Sequence, residues 1–135
     1  MPLYIIPIQD LRAHVNPMDG TMWKCRPIQE KEVRDAIDAG KMECRSWGDV
    51  VNTLGEEDSR LFHINRIATL VTQPTEEKII IVVENHQSPI RIYLNDGNHR
   101  LAAAYIRGDF QISALCACSA PERPITDVFP GAVLA

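Results

Sequence analysis

The residues best suited to chemistry stand together in one short segment of the chain, Asp96-Gly97-Asn98-His99-Arg100. The segment follows an apolar run and precedes an alanine-rich run, which predicts that it joins a strand to the start of a helix. The first amides of a helix have no partner within the helix and lie at the positive end of its dipole. Such an end binds anions, phosphate in particular. Gly97 has no Cβ and lets a ligand approach the backbone, so the segment predicts a phosphate site that includes the amide of Asn98.

Two side chains in the first predicted turn, His99 and Arg100, could hold such an anion or act on it. A cation at the start of a helix is disfavoured by about 0.3–1 kcal/mol, whereas a guanidinium can grip two phosphate oxygens. His99 could serve as a general acid or base, because an imidazole titrates near neutral pH. The alternative is that Arg100 pairs with a nearby carboxylate such as Asp96, and that the segment is only a capped turn.

The elements that must position this segment follow from the spacing of the apolar residues. Four strands are predicted, at Leu3–Ile8, Ile79–Glu84, Ile90–Leu94 and Phe110–Cys118. The first is expected at a sheet edge because it closes on a proline, and the second is expected to be covered on both faces. Four helices are predicted, at Ile28–Ala39, Ser46–Leu54, Ser59–Thr72 and His99–Arg107. With residues 119–135 as an irregular surface tail, this order indicates one α+β domain over residues 1–135, with a mixed sheet and packed helices.

The predicted helix before the strand pair has two distinct faces. Its apolar residues fall on one stripe, formed by Leu61, Ile64, Ile67, Ala68 and Val71. The polar residues Arg66, Thr69 and Gln73 share the opposite face, since they are spaced at i, i+3 and i+7. That face is either an ordinary solvated surface or the lining of a site. His63 on the same helix is expected to be a surface histidine, and a place in the site is the alternative.

The segment, continued by an alanine-rich helix that Gly108 closes, resembles the signature of the ParB/sulfiredoxin superfamily. ParB-type domains carry a Gly-x-x-Arg box at such a strand-to-helix turn, and sulfiredoxins carry Gly-Gly-Cys-His-Arg there. Helix, strand pair, box, helix and strand also follow one another in the family's order between residues 59 and 118. The resemblance implies a ParB/sulfiredoxin-like fold with a nucleoside-triphosphate pocket, in which His99 and Arg100 contact the phosphates.

The preceding helix adds a second similarity. Sulfiredoxins carry Lys-x-x-Ser-x-x-x-Thr on the helix that lines the nucleotide site, and this chain has Arg66, Thr69 and Gln73 at the same spacing. The resemblance therefore implies that Arg66 and Thr69 line the pocket. One departure argues against an activity of the family. Asn98 stands where sulfiredoxins hold their reactive cysteine, and an amide cannot act as that nucleophile, so repair of cysteine sulfinic acid is not expected.

The resemblance leaves three functions open. The first is a nucleotide-binding protein that takes ATP or CTP with Mg²⁺, as a slow NTPase or without hydrolysis. The second is a metal-dependent nuclease, in which the pocket holds a backbone phosphate of DNA and His99 acts as acid or base. The third is a non-catalytic module that binds or inhibits a protein partner, of the kind that plasmids and phages encode. No helix-turn-helix pattern follows residue 118, so a centromere-binding partition protein is not expected.

The overall charge favours a nucleotide over long DNA. The 135 residues include 14 basic and 18 acidic ones, which gives a formal net charge of −4. Sequence-independent binding of DNA relies on clustered lysines and arginines that neutralise phosphates. Neither half of this chain is basic.

The cysteines and the short apolar runs argue against two further classes of protein. Cys25, Cys44, Cys116 and Cys118 form no C-x-x-C pair, so we expect them in the core rather than on zinc. No apolar run approaches the roughly 20 residues that a membrane span requires. The first residues lack the basic and apolar regions of a secretory signal. A cytoplasmic protein without disulfides is therefore expected.

Overall fold

A computed structural model describes the whole chain, residues 1–135, and shows an α+β fold built on one mixed sheet, as predicted. The strands are β1 (Leu3–Pro7), β2 (Ile79–Glu84), β3 (Arg91–Asp96), β4 (Gln111–Cys118) and β5 (Val133–Leu134). The helices are α1 (Ile8–Arg12), α2 (Glu30–Asp38), α3 (Trp47–Val50), α4 (Glu56–Thr72) and α5 (Asn98–Arg107). None of the helices combines the length and the apolar character that crossing a membrane requires.

The sheet has the strand order β3-β2-β4-β1-β5. β2 is antiparallel to β3 and parallel to β4, with Ile81 opposite Cys116. Parallel neighbours need a crossover connection, and β3 followed by α5 provides it. β1 pairs with β4 on one side and with β5 on the other. The prediction of an edge position for β1 is therefore wrong, because Val133 and Leu134 near the end of the chain pair with its outer edge.

Helix α5 lies between two hydrophobic clusters, and all six residues from Leu101 to Ile106 are buried. The cluster toward the sheet takes three of them, Leu101, Ala104 and Tyr105. The cluster toward α2 and α4 takes the other three, Ala102, Ala103 and Ile106. Protein interiors are close-packed, so the small alanine side chains allow both layers to approach the helix closely.

The four predicted helices are present as α2 to α5, and α1 is a fifth helix that the sequence did not predict. The buried faces of the helices do not all agree with the prediction. α4 begins at Glu56, three residues earlier than predicted, because the acidic residues there form a first turn that the helix dipole favours. Leu61, predicted on the buried stripe, is exposed, whereas Arg60 is buried. The guanidinium of Arg60 donates two hydrogen bonds of 2.8 and 2.6 Å to Glu32 and reaches two backbone carbonyls. These partners satisfy the buried charge.

The prediction that β2 is covered on both faces is also wrong. Ile79, Ile81 and Val83 are buried, while the alternate residues of the strand are only half-buried. The helices therefore pack against one face of β2. The predicted helix over residues 46–54 is confined to the four residues of α3.

The residues after β4 are not a surface tail. Phe129 is fully buried in the cluster toward the sheet, and Ile125, Val128 and Ala132 are buried beside it. This segment has no regular period, so periodicity does not reveal its buried residues. Phe110, predicted to be the first residue of the last strand, instead precedes β4 and is 85% exposed.

The four cysteines are free thiols that differ in exposure. Cys116 is buried as predicted, and burial raises the pKa of its thiol to about 12. Cys25 and Cys118 are half-buried. Cys44 is exposed, so its predicted place in the core is wrong.

Phe129→Ala is expected to lower the free energy of unfolding by about 3–5 kcal/mol, because it leaves a cavity in the core. Phe110→Ala removes the same atoms from an exposed position and serves as the matched control, with an expected change below about 0.5 kcal/mol. Urea denaturation followed by circular dichroism measures both values. Equal losses in the two variants would contradict the burial of the C-terminal segment.

Candidate functional site

Helix α5 begins in a tight turn against β2. Gly97 is its N-cap residue with φ of 99°, and a Cβ there would lie 2.5 Å from Cγ2 of Ile79. Glycine fits this position because any larger residue would be strained and would collide with the strand. No side chain caps the helix, and the amide of Leu101 bonds to the carbonyl of Gly97 at 2.9 Å. The amides of residues 98–100 thus precede the intrahelical bonds and lie at the positive end of the dipole.

The opposite end of α5 is neutralised by arginines from other elements. Arg12 of α1 donates to the carbonyl of Tyr105 at 3.0 Å, and Arg34 of α2 donates to the carbonyl of Ile106 at 3.0 Å. Cations at the C-terminus of a helix complement the negative end of its dipole. The negative end therefore has its counter-charges within the chain, whereas the positive end has no acidic cap.

Arg100 is held by two carboxylates. Its Nη1 lies 2.6 Å from Oε2 of Glu77, and its Nη2 lies 2.9 Å from Oδ2 of Asp96. The side chain of Arg100 is 12% exposed, against 76% for Glu77 and 65% for Asp96. Pairing with Asp96, the alternative that the sequence left open, is therefore present, and Glu77 is a partner that the sequence did not indicate. Asp96 pairs with the guanidinium and does not cap the helix.

His99 is joined to His63 of α4 by a hydrogen bond of 2.8 Å between its Nε2 and Nδ1 of His63. The ring of Trp23 stacks on both imidazoles, with centroid distances of 4.2 Å to His63 and 4.6 Å to His99. His63 is fully buried, so the expectation of a surface histidine is wrong. Trp23 precedes α2 in a segment without regular periodicity, and no pattern in the sequence indicates that it lies over the two histidines.

Both imidazoles are neutral at pH 7. Burial lowers the pKa of His63 and that of His99, and the nearby His63, Arg66 and Arg100 oppose protonation of His99 further. One neutral ring therefore donates an N–H to the other. Because His99 uses Nε2 for this bond, Nδ1 is the nitrogen that remains for a ligand. Nε2 of His63 is buried without a hydrogen-bond partner.

Arg66 and Thr69 both hold the backbone of Glu43. Nη1 of Arg66 donates to the carbonyl of Glu43 at 3.0 Å, and Oγ1 of Thr69 accepts from its amide at 2.7 Å. Thr69 also donates to the carbonyl of Asn65 and is 3% exposed. Its predicted place in the pocket lining is wrong, because its hydroxyl is used to fix the segment before α3. Arg66 does line the cleft described next.

A cleft of about 480 Å³ brings most of the predicted residues together. Its lining includes Asp96, Gly97, Asn98, His99, Arg100 and Arg66, together with Met22, Trp23, Trp47 and Glu77. Two guanidinium groups and two carboxylates thus face the same space. No group of three or more His, Cys, Asp or Glu side chains is arranged to hold a metal ion. The sequence did not indicate four of these lining residues: Met22, Trp23, Trp47 and Glu77.

Comparison with known proteins does not assign this chain to a family. No family model matches it, and no curated protein or solved structure is significantly similar to it.

Stability is expected to fall as the pH is lowered from about 6.5 to about 5, because unfolded histidines bind protons there and the buried pair does not. The pKa values of His63 and His99 are lower in the folded state than in the unfolded state. The stability that depends on their neutral form is therefore fully present above pH ~6.5 and is lost as the pH falls below it. We expect a loss of about 3 kcal/mol across this window, about half of it from each histidine. Hydrogen bonds from Arg60 and Arg45 lower the pKa values of Glu32 and Glu43. These two glutamates therefore change the stability only at a pH below this window.

His99→Asn removes one of the two titrating imidazoles and is expected to reduce this pH dependence by about half. His86→Asn is the control, since His86 is exposed and belongs to a different surface. Urea denaturation at a series of pH values measures both. A stability that stays constant across the window, or a slope that His99→Asn does not change, is incompatible with a neutral buried pair.

Proposed function

We propose that the cleft binds the phosphate groups of a nucleoside triphosphate such as ATP or CTP, as the resemblance to ParB/sulfiredoxin-like proteins implies. The observation that carries the proposal is the meeting of the uncapped start of α5 with two guanidinium groups, Arg66 and Arg100, in one cleft. Helix N-terminal amides and guanidinium forks are groups that proteins commonly use to hold phosphate. Nδ1 of His99 adds a further polar contact at the same place.

A phosphate has to displace the carboxylates of Asp96 and Glu77 from Arg100. Both carboxylates are mostly exposed, so they can rotate into solvent while the arginine stays in place. Each carboxylate accepts one charge-assisted hydrogen bond from Arg100, whereas a phosphate can accept such bonds from both guanidinium groups and from the first amides of α5. A multiply charged phosphate with several such bonds is therefore the stronger partner of Arg100.

Trp47 offers a surface for the base of the nucleotide. It lines the cleft, is half-buried and makes tilted ring contacts with His63 and Phe62. Trp23, by contrast, is 7% exposed and stacked on two histidines. Stacking of a base on an aromatic ring contributes about 1–3 kcal/mol. Phosphates at the start of α5 and a base at Trp47 would use both the polar and the apolar parts of the lining.

Metal binding and proton transfer would involve two side chains of the cleft. Mg²⁺ is commonly bound through phosphate oxygens and one or two carboxylates, and Asp96, next to the start of α5, fits that role when it leaves Arg100. His99 is the candidate for proton transfer at the phosphates. Because burial lowers its pKa, it is a weak base at neutral pH, and we expect hydrolysis to be slow.

The nuclease alternative is less favoured by the charges at the cleft. A DNA strand would extend past the cleft, where the exposed carboxylates of Asp96 and Glu77 repel its phosphates. The chain as a whole carries a net charge of −4. A nucleotide needs only the local site at α5.

Isothermal titration calorimetry with ATP and CTP in the presence of Mg²⁺ tests the proposal. Arg100→Ala is expected to weaken binding at least about tenfold, because it removes a bidentate phosphate contact. Glu77→Gln is expected to strengthen binding about two- to tenfold, since it removes a competing charge and keeps the shape of the side chain. Glu84→Gln is the matched control, because Glu84 pairs with Arg91 at the opposite end of β2.

Thermal denaturation of each variant establishes that it is folded. The proposal is wrong if neither nucleotide binds at about 1 mM, or if folded Arg100→Ala binds as tightly as the unchanged protein. Tighter binding of single-stranded DNA than of ATP or CTP would support the nuclease alternative instead.

A further inference from the structure

One face of the sheet is covered by no helix. Because side chains alternate along a strand, Ile80 and Val82 point away from the core that their neighbours on β2 enter. The register places Leu115 beside Ile80, and it places Ala117 and Tyr93 on either side of Val82. On β1, Ile5 lies on this side, at the centre of the strand. We call these six residues the outer face: Ile5, Ile80, Val82, Tyr93, Leu115 and Ala117.

The six residues of the outer face are apolar and have no partner within the chain. Ser113, which lies opposite Ile5 on the same side of the sheet, is a polar neighbour. None of the six residues belongs to either hydrophobic cluster or packs against one, and each of them remains partly accessible. Helix α5 packs on the inner side, with α2 and α4 beyond it. A sheet that faces water on one side normally has polar residues there. An extended apolar patch instead marks an interaction surface.

The outer face carries no net charge. At its end Glu84 and Arg91 pair with each other at 3.4 Å, and the guanidinium of Arg91 lies 4.6 Å from the ring centroid of Tyr93. A membrane-binding surface carries an excess of lysine and arginine, and a charged partner requires a complementary charge. A flat, neutral and apolar surface is complementary to a copy of itself.

We propose that a second copy of this chain covers the outer face, so that two sheets pack face to face about a twofold axis. The five strands have two to eight residues each. At about 3.3 Å per residue and about 4.8 Å between strands they present roughly 430 Å², so two such faces bury roughly 860 Å², in the size range of weak, transient interfaces. The dimer is therefore expected to be weak, with a Kd on the order of 100 µM. It leaves the cleft at α5 accessible, because the cleft lies on the helical side, and it does not depend on what the cleft binds.

Sedimentation velocity at about 5 to about 500 µM tests this proposal. The unchanged protein is expected to pass from monomer to dimer over this range. Val82→Lys places a charge at the centre of the outer face and is expected to weaken association at least about tenfold. Leu61→Lys is the matched control, because Leu61 is 52% exposed on α4, and it is expected to dimerise like the unchanged protein.

Circular dichroism establishes whether Val82→Lys is folded, and Tyr93→Lys provides the same test on a neighbouring strand if it is not. A monomer at about 500 µM overturns the proposal and leaves the face to a different protein. A folded Val82→Lys or Tyr93→Lys that dimerises as strongly as the unchanged protein overturns it as well.

Discussion

The burial of helix α5 is the constraint on which the rest of the structure depends. Its residues from Leu101 to Ile106 are buried on both sides, against the sheet and against α2 and α4. A larger side chain in the alanine run would force these two layers apart. Because α5 is fixed in this way, the turn at Gly97 is held against Ile79, and the start of the helix lies at the cleft. The alanine run is thus a packing requirement of the fold.

The same placement gives α5 an asymmetric electrostatic environment. Arg12 and Arg34 neutralise its C-terminal carbonyls, while its first amides have no acidic cap. Near those amides, the side chain of Arg100 is 12% exposed, and its carboxylate partners are mostly exposed. A ligand phosphate can therefore exchange with these carboxylates without a rearrangement of the backbone. The neutral pair His63–His99 adds no charge, and it links α4 to α5 next to the site.

The sequence predicts the fold class, the main strands and the start of α5, because those features depend on local periodicity and turn chemistry. Its errors fall where partners come from distant segments. Glu77 pairs with Arg100 from 23 residues away, and Thr69 is buried because it binds the backbone of Glu43. The contact between His63 and His99 depends on how α4 packs on α5. A helical pattern on α4 cannot specify these contacts, since it describes one buried stripe and α4 is covered on more than one side.

The backbone amides at the start of α5 give the most direct test of the phosphate site. In ¹⁵N-labelled protein titrated with ATP and, separately, with inorganic pyrophosphate, we predict that the largest chemical-shift changes occur at the amides of Asn98, His99 and Arg100. Both ligands should affect these amides, because the phosphates and not the base are placed there. Unchanged shifts at all three amides, under conditions in which other residues report binding, would contradict the account.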